Sequence, residues 1–505
     1  MTNPEFSILR RAKVGKIAQT PHFFGIQLAN LPVNLKILEN DSTFTKPFLY
    51  YFTLLMKTFR LLLVALLLAG TASAQHHHRK AMRGDYSPTV YLVSLHQTDT
   101  VYYSPQAVQR AVAMNNQAVN NATQDYLDTH RPGFQQVDKP QFLFATKNNR
   151  FSLALGGFVQ LRAGYDFEGI SDNLDFIPYD IPTVGNYNTR QQLLMDASTS
   201  RLYMKAISNT SALGRVVIFM DADFRGGAPG SYTPRLRSAY ISMLGFTLGR
   251  DVTTFCDLTA APTTIDFQGP NAYNFNFATM IRYEKNFARD KMTFGIAAEL
   301  PNVSATYNDN FAPMRQRVPD IPAYLQFAWG PNRESHIRAS GVIRNMYLHN
   351  LRTGNNTSLL GWGAQFSGTI KACRWMRLFM NGVYGEGITP YIQDLTGSGL
   401  DFTPNPENAD QIQTMPMWGW QMAAQFNLSP RLFISGGYSE VNVEKKNGFY
   451  ADDEYKKGQY IFGNIFYALN SRCRIAAEYL YGTRKDMNNV EGHANRAQVM
   501  VQYNF

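Results

Sequence analysis

The chain has 505 residues, with 24 prolines, 37 glycines and only three cysteines. Charged residues make up 17% and Phe, Tyr and Trp together 13%, whereas a soluble domain carries about a quarter charged residues. Three cysteines exclude a disulfide-built scaffold, an apolar content of 45% excludes disorder as the overall state, and no apolar run is long enough for a membrane-spanning helix.

From Met56 the sequence reads MKTFRLLLVALLLAGTASAQ. Lys57 and Arg60 form a short basic stretch, Leu61 to Ala69 an apolar run, and Ala72-Ser73-Ala74 a small-residue cleavage pattern. That order predicts a secretory signal peptide over residues 56–74. Residues 1–55 precede it and are read as a mis-called, disordered extension, so the mature chain is expected to start at Gln75. The first 74 residues hold eight Lys and Arg against three Asp and Glu, so their removal takes the net charge from +10 to +5. The basic excess then gives little support to a nucleic-acid partner. His76, His77 and His78 cannot converge on one ion with good geometry, so a flexible terminus is expected there rather than a metal site.

Residues 75–149 read as a periplasmic segment with a helix over 105–130. Ser104 supplies an N-cap, Pro105 suits the first helical position, and Pro132-Gly133 ends the helix. Val108, Val112, Asn115, Val119, Ala122 and Tyr126 recur at heptad spacing, with Asn115 as a polar register residue. The seam is short. A coiled coil and a lone amphipathic helix packed on its own domain both remain open.

Beyond Arg150 the pattern becomes one of alternating segments separated by turn residues, each with an apolar and a wetter face. Candidate strands start near 150, 197, 214, 233, 245, 276, 290, 322, 334, 358, 374, 414, 430, 457, 472 and 494. Short connections alternate with long ones, as in an outer-membrane barrel with brief periplasmic turns and long outer loops. An all-β fold is therefore predicted over 150–505: a transmembrane antiparallel β-barrel of about 16 strands, set in a lipid bilayer, the outer membrane of a Gram-negative bacterium. Trp418, Trp420, Tyr460, Phe462, Phe466, Tyr467, Tyr479 and Tyr481 are candidate girdle residues at the lipid interface. The last strand, Gln498 to Phe505, alternates and ends on an aromatic residue, which resembles the assembly signal of such barrels.

A barrel of this size leaves an aqueous interior, and its chemistry falls to inward side chains. Between residues 150 and 350 there are sixteen Arg and three Lys. Parity places Arg162, Arg201, Arg235, Arg237, Arg250, Arg282, Arg338 and Arg344 in the lumen. Guanidinium groups offer forked donors suited to carboxylate or phosphate, so such a file would favour small anions. The same span holds seventeen Asp and Glu, among them Asp221 and Asp223 on lumen parity with Arg215 and Arg225, so many pairs could merely stiffen the wall. The connection from Cys256 to Pro270 is too apolar for a freely solvated loop. It is expected to fold inward and narrow the channel, with Asp257, Asp266, Phe267 and Gln268 on it; a packed outer lid is the alternative.

Three stretches carry a family resemblance: Arg235-Leu236-Arg237-Ser238-Ala239-Tyr240, then Gly249-Arg250-Asp251-Val252-Thr253-Thr254-Phe255, then Asp257-Leu258 with Ile265-Asp266-Phe267-Gln268-Gly269-Pro270. Together they resemble the DcaP-like outer-membrane porins, which pair an R-x-R-x-A-Y strand with a G-Q/R-x-x-T-x-F strand and a D-F-x-G-P loop. The resemblance is detailed over about 220–285. It implies a homotrimeric channel for small anionic solutes such as dicarboxylates, handled by arginines opposite an inward loop; the matching positions are Arg235, Arg237 and Arg250. Arg250 stands where many relatives carry Gln. A phosphate-selective porin would show a denser lysine file, and a non-conducting structural barrel would need a plug, for which 75–149 offers no domain of adequate size. No G-x-S-x-G, H-E-x-x-H or phosphate-binding glycine loop is present, so neither an enzyme nor a cofactor is expected. Cys256, Cys373 and Cys473 are read as unbridged.

Overall fold

The computed structural model describes residues 89–93, 105–146, 148–170, 174–185, 187–228 and 230–505. The extension, the signal peptide and the histidine run fall outside the described residues. Sixteen antiparallel strands close into one barrel. In chain order they are β1 (Phe151–Glu168), β2 (Arg190–Asp196 continued by Arg201–Thr210), β3 (Gly214–Gly226), β4 (Thr233–Met243), β5 (Phe246–Val252), β6 (Phe277–Phe287), β7 (Met292–Glu299) and β8 (Ile321–Trp329). There follow β9 (Ser335–Asn350), β10 (Asn356–Lys371), β11 (Met376–Glu386), β12 (Pro416–Ser429), β13 (Leu432–Val443), β14 (Tyr455–Ala468), β15 (Cys473–Asp486) and β16 (Glu491–Asn504).

Every predicted start but one lies within three residues of the observed one; the exception is 197, which falls between the two pieces of β2, seven residues after Arg190 and four before Arg201. That exception has a local cause. The second strand is interrupted at residues 197–200, its first piece pairing with the upper half of β1 and its second with the lower half. Closure is made by β16 on β1, from Asn504 opposite Phe158 to Asn495 opposite Glu168. The terminal Phe505 and Gly157 exchange backbone hydrogen bonds of 3.0 and 3.1 Å. Only glycine fits at 157, because a Cβ there would lie 2.2 Å from the Arg201 carbonyl oxygen.

Burial is inverted relative to a water-soluble protein. On β10, Leu360, Trp362 and Phe366 are exposed, whereas Gln365, Ser367 and Thr369 are buried. An apolar outer face needs lipid, and a closed ladder leaves no strand edge unpaired within it. Among the described residues no helix is long and apolar enough to cross a membrane.

The girdle assignment needs correction at three positions. Tyr460, Phe462 and Phe466 are almost fully buried and face the lumen, while Trp420 and Tyr479 point outward as expected. The reason is packing: Tyr460 and Phe462 meet Phe176, and Phe466 meets Ile265, both on connections that fold into the barrel.

Ahead of the barrel stands helix α1 (Pro105–Thr129). The strand Phe142–Thr146 pairs with the start of β1 and, on its other side, with the parallel strand Thr89–Val93. The C-terminal half of α1 buries Ala118, Ala122 and Tyr126, the last against Leu143, Ala154, Ile207 and Val217. Val112 and Asn115, earlier on the same seam, are exposed.

Candidate functional site

The connection 253–276, between β5 and β6, crosses the lumen and is tied to the far wall. Ala260 O accepts from Gln421 on β12 at 3.0 Å, and Thr263 O from Asn464 on β14 at 3.0 Å. Glu478 on β15 accepts the N–H groups of Ile265 and Asp266 at 3.0 and 2.8 Å. Its near end is anchored by Asp257, whose carboxylate accepts from His336 Nε2 and Ser367 Oγ, both at 2.8 Å. Burial works against the ionised Asp257 carboxyl, but the His336 and Ser367 hydrogen bonds and nearby Arg338 outweigh it and hold the group down at about 2. A carboxylate can only accept, so His336 must carry its proton on Nε2 here.

Two further connections enter from the long-loop end. Asp394, in the connection 387–415, accepts from Tyr179 N at 3.0 Å, from Asn271 at 3.2 Å and from Tyr455 OH at 2.6 Å. It thereby clasps three inward segments to one wall. Around this clasp Phe255, Tyr391, Ile392, Leu395, Met415 and Met417 form a buried apolar cluster inside the barrel. The sequence pattern did not foresee this filling.

The arginines are largely committed to carboxylates. Asp223 accepts from Arg235 Nε and NH2 at 2.9 and 2.6 Å and from Arg237 NH1 at 3.0 Å. Arg162 lies 3.3 Å from Asp196, 3.7 Å from Asp175 and 3.9 Å from Asp266. Arg201 lies 3.6 Å from Asp221. Arg282 pairs with Asp251 at 2.7 Å and Glu284 at 3.3 Å. Arg344, fully buried, bonds Asp320 at 3.0 Å and Asp401 at 2.9 Å. Arg338 donates to Thr254 O and lies over the Tyr324 ring at 3.4 Å.

Arg250 stands apart. Its backbone pairs with Ala239 on the face of β5 that carries Phe246 and Leu248, but its guanidinium lies 5.5 Å from the Phe277 ring, which Arg237 also faces at 4.8 Å. An extra residue explains the backbone phase. Ser238 opposes Asp221 and Leu236 opposes Ala222, so Arg237 sits in a bulge that turns Arg235, Arg237 and Ser238 all inward. Beyond the bulge the backbone phase is reversed, so Arg250 reaches the Phe277 ring along its side chain rather than by strand parity.

The loop and the arginines meet at Phe267. Its ring is faced by the guanidinium groups of Arg225 at 4.2 Å, Arg237 at 5.3 Å and Arg235 at 5.6 Å. The side chain of Arg225, which parity set beside Asp221 and Asp223, bonds Asp175 at 2.6 Å. Phe267 and Gln268 are half-buried, and the Arg235 side chain is 40% exposed, so this side of the lumen stays wet. Below it, toward the short-turn end, lies a cavity of about 490 Å³ whose walls include Gln135, Gln160, Arg201, Phe267, Arg377 and Arg474. Arg377 and Arg474 lie beyond the arginine-rich span 150–350, and strand parity with the buried Phe379 and Ala476 turns both inward. Among the described residues no cluster of His, Cys, Asp and Glu could hold a metal, and the three cysteines are free.

A closed sixteen-stranded barrel with a lipid-compatible outer face and an inward loop is the architecture of an outer-membrane porin. The pattern that defines the DcaP outer membrane protein family matches residues 99–392, and the chain belongs to that family. Among solved structures, the outer membrane channel DcaP of Acinetobacter baumannii is 19% identical, with a TM-score of 0.61 over 70% of this chain and 97% of that one. The anion-selective porin from Comamonas acidovorans is 12% identical (TM-score 0.46; 70% and 100% covered), and the trimer form of OmpT from Vibrio cholerae 13% (0.45; 70% and 99%). No curated protein matches.

Proposed function

We propose that the protein lets small anions, dicarboxylate-like solutes among them, diffuse passively across the outer membrane. The observation that carries this reading is the guanidinium cluster at Phe267, beside the half-exposed face that leads to the cavity containing Arg201, Arg377 and Arg474. Forked donors in a confined wet passage favour carboxylates over cations. In keeping with the family resemblance the chain is taken to work as a homotrimer with α1 in the periplasm. The exposed seam residues Val112 and Asn115 would then face neighbouring copies. The Arg-rich, Lys-poor wall weighs against a phosphate-selective pore.

A non-conducting anchor is the second reading, favoured by the apolar cluster around Tyr391 and Leu395 inside the barrel. Single-channel recording in planar bilayers separates the two. Current is expected, with block by succinate, and Arg235→Ala is expected to weaken that block about fivefold, the equivalent of about 1 kcal/mol for a partly exposed guanidinium. Block unchanged in Arg235→Ala would remove that residue from the pathway, and no current at all would favour the anchor.

A further inference from the structure

Residues 131–138, which join α1 to the strand Phe142–Thr146, run inside the barrel rather than below it. Arg131 donates to Asp251 at 2.9 Å and to Glu284 at 3.1 Å. The backbone at Gly133 (φ +143°) comes so close that a Cβ would lie 2.4 Å from the Leu258 carbonyl oxygen. The Phe134 N–H donates to that same oxygen at 2.6 Å, and its ring packs edge-on to Tyr273 and Phe275. Val137 packs against Tyr203, Phe219 and Tyr240.

Gln135 sits at the centre. Its amide N–H donates to the Phe267 carbonyl, its Oε1 accepts from Arg237 NH2 at 2.7 Å, and its backbone carbonyl accepts from Arg201 NH1. Two arginines opposite the inward loop are thus engaged by neutral oxygens of the chain itself. The match is incomplete, because Arg201 Nε and Arg237 Nε are buried without a hydrogen-bond acceptor among the described residues. A carboxylate is the stronger acceptor for guanidinium, and its paired oxygens could engage donors that a single amide oxygen leaves unmet.

We propose that residues 131–138 are a tethered plug. Gln135 holds the place of a solute carboxylate on Arg201 and Arg237, a permeating carboxylate competes with it for those donors, and withdrawal of the segment widens the passage. The identity of the competing solute rests on the anion-channel reading; the blocking role does not.

The test uses the full chain in liposomes and follows swelling driven by an uncharged pentose, a readout independent of ion selectivity. Gln135→Ala removes the contacts of the side chain, whereas Arg131→Ala loosens the anchor and leaves Arg201 and Arg237 untouched. Folded fractions are matched by heat-modifiable gel mobility. Both variants are expected to admit the pentose at least about twofold faster than the unaltered protein. In the unaltered protein, succinate bound at Arg201 and Arg237 is expected to speed entry of the uncharged pentose past the displaced segment, even while its negative charge interrupts the ion current. Pentose entry unchanged in both folded variants would overturn the plug. Faster entry in the variants but none with succinate would overturn the competition and leave the plug.

Discussion

Arg344→Ala is expected to lower the unfolding free energy of the barrel by about 3–5 kcal/mol, because it leaves two buried carboxylates without their counter-charge. The guanidinium on β9 is fully enclosed. It donates to Asp320, just ahead of β8, and to Asp401, in the connection 387–415. It also donates to the carbonyls of Gly387 and Asn302, both at 2.6 Å. One side chain therefore ties two long connections to the wall, and both carboxylates and the Gly387 carbonyl around it are buried. Arg344→Lys keeps the charge but not the fork, so it should fall between the two. Urea unfolding of the purified protein in micelles, followed by tryptophan fluorescence, reads the difference. A loss below about 1 kcal/mol would mean that the alanine variant relaxes to admit water and that the network is only locally stabilising.

Asp223→Asn is expected to act on selectivity and stability in opposite senses. The carboxylate neutralises Arg235 and Arg237 together and also accepts the backbone N–H of Arg225 at 3.2 Å. An amide of the same shape retains one acceptor and removes one negative charge at the Phe267 cluster. A unit charge about 4 Å from a permeating ion in water-like surroundings is worth about 1 kcal/mol, so the anion-to-cation permeability ratio should rise roughly fivefold. Arg237 is nearly fully buried, so the same change leaves its charge under-compensated and should cost stability of the order of a few kcal/mol. A reversal potential indistinguishable from the unaltered protein would place the ion pathway away from Asp223.

The strand framework was legible because each strand must satisfy two demands at once, alternation and a turn at each end. β14 illustrates both the strength and the limit. Ile461 and Ile465 face lipid as parity requires, yet Phe462 and Phe466 are equally apolar and face inward. Their environment is set by Phe176 and Ile265, which arrive from connections far away in sequence. No local pattern encodes such a meeting. The arginine file was legible by parity wherever the ladder is regular. At Arg250 one extra residue at Arg237 reverses the backbone phase, although the guanidinium still reaches the Phe277 ring that Arg237 faces. The inward course of the connection 253–276 could be expected from its apolar content. The entry of Phe134 and Gln135 could not, since a short polar stretch after Pro132-Gly133 reads as an ordinary linker.

The reversal potential of the purified protein under a tenfold potassium chloride gradient bears most directly on the account. Chloride should carry the larger share of the current, giving a potential of the sign set by anion preference. A potential of the opposite sign, with potassium favoured, would contradict the arginine-guided pathway.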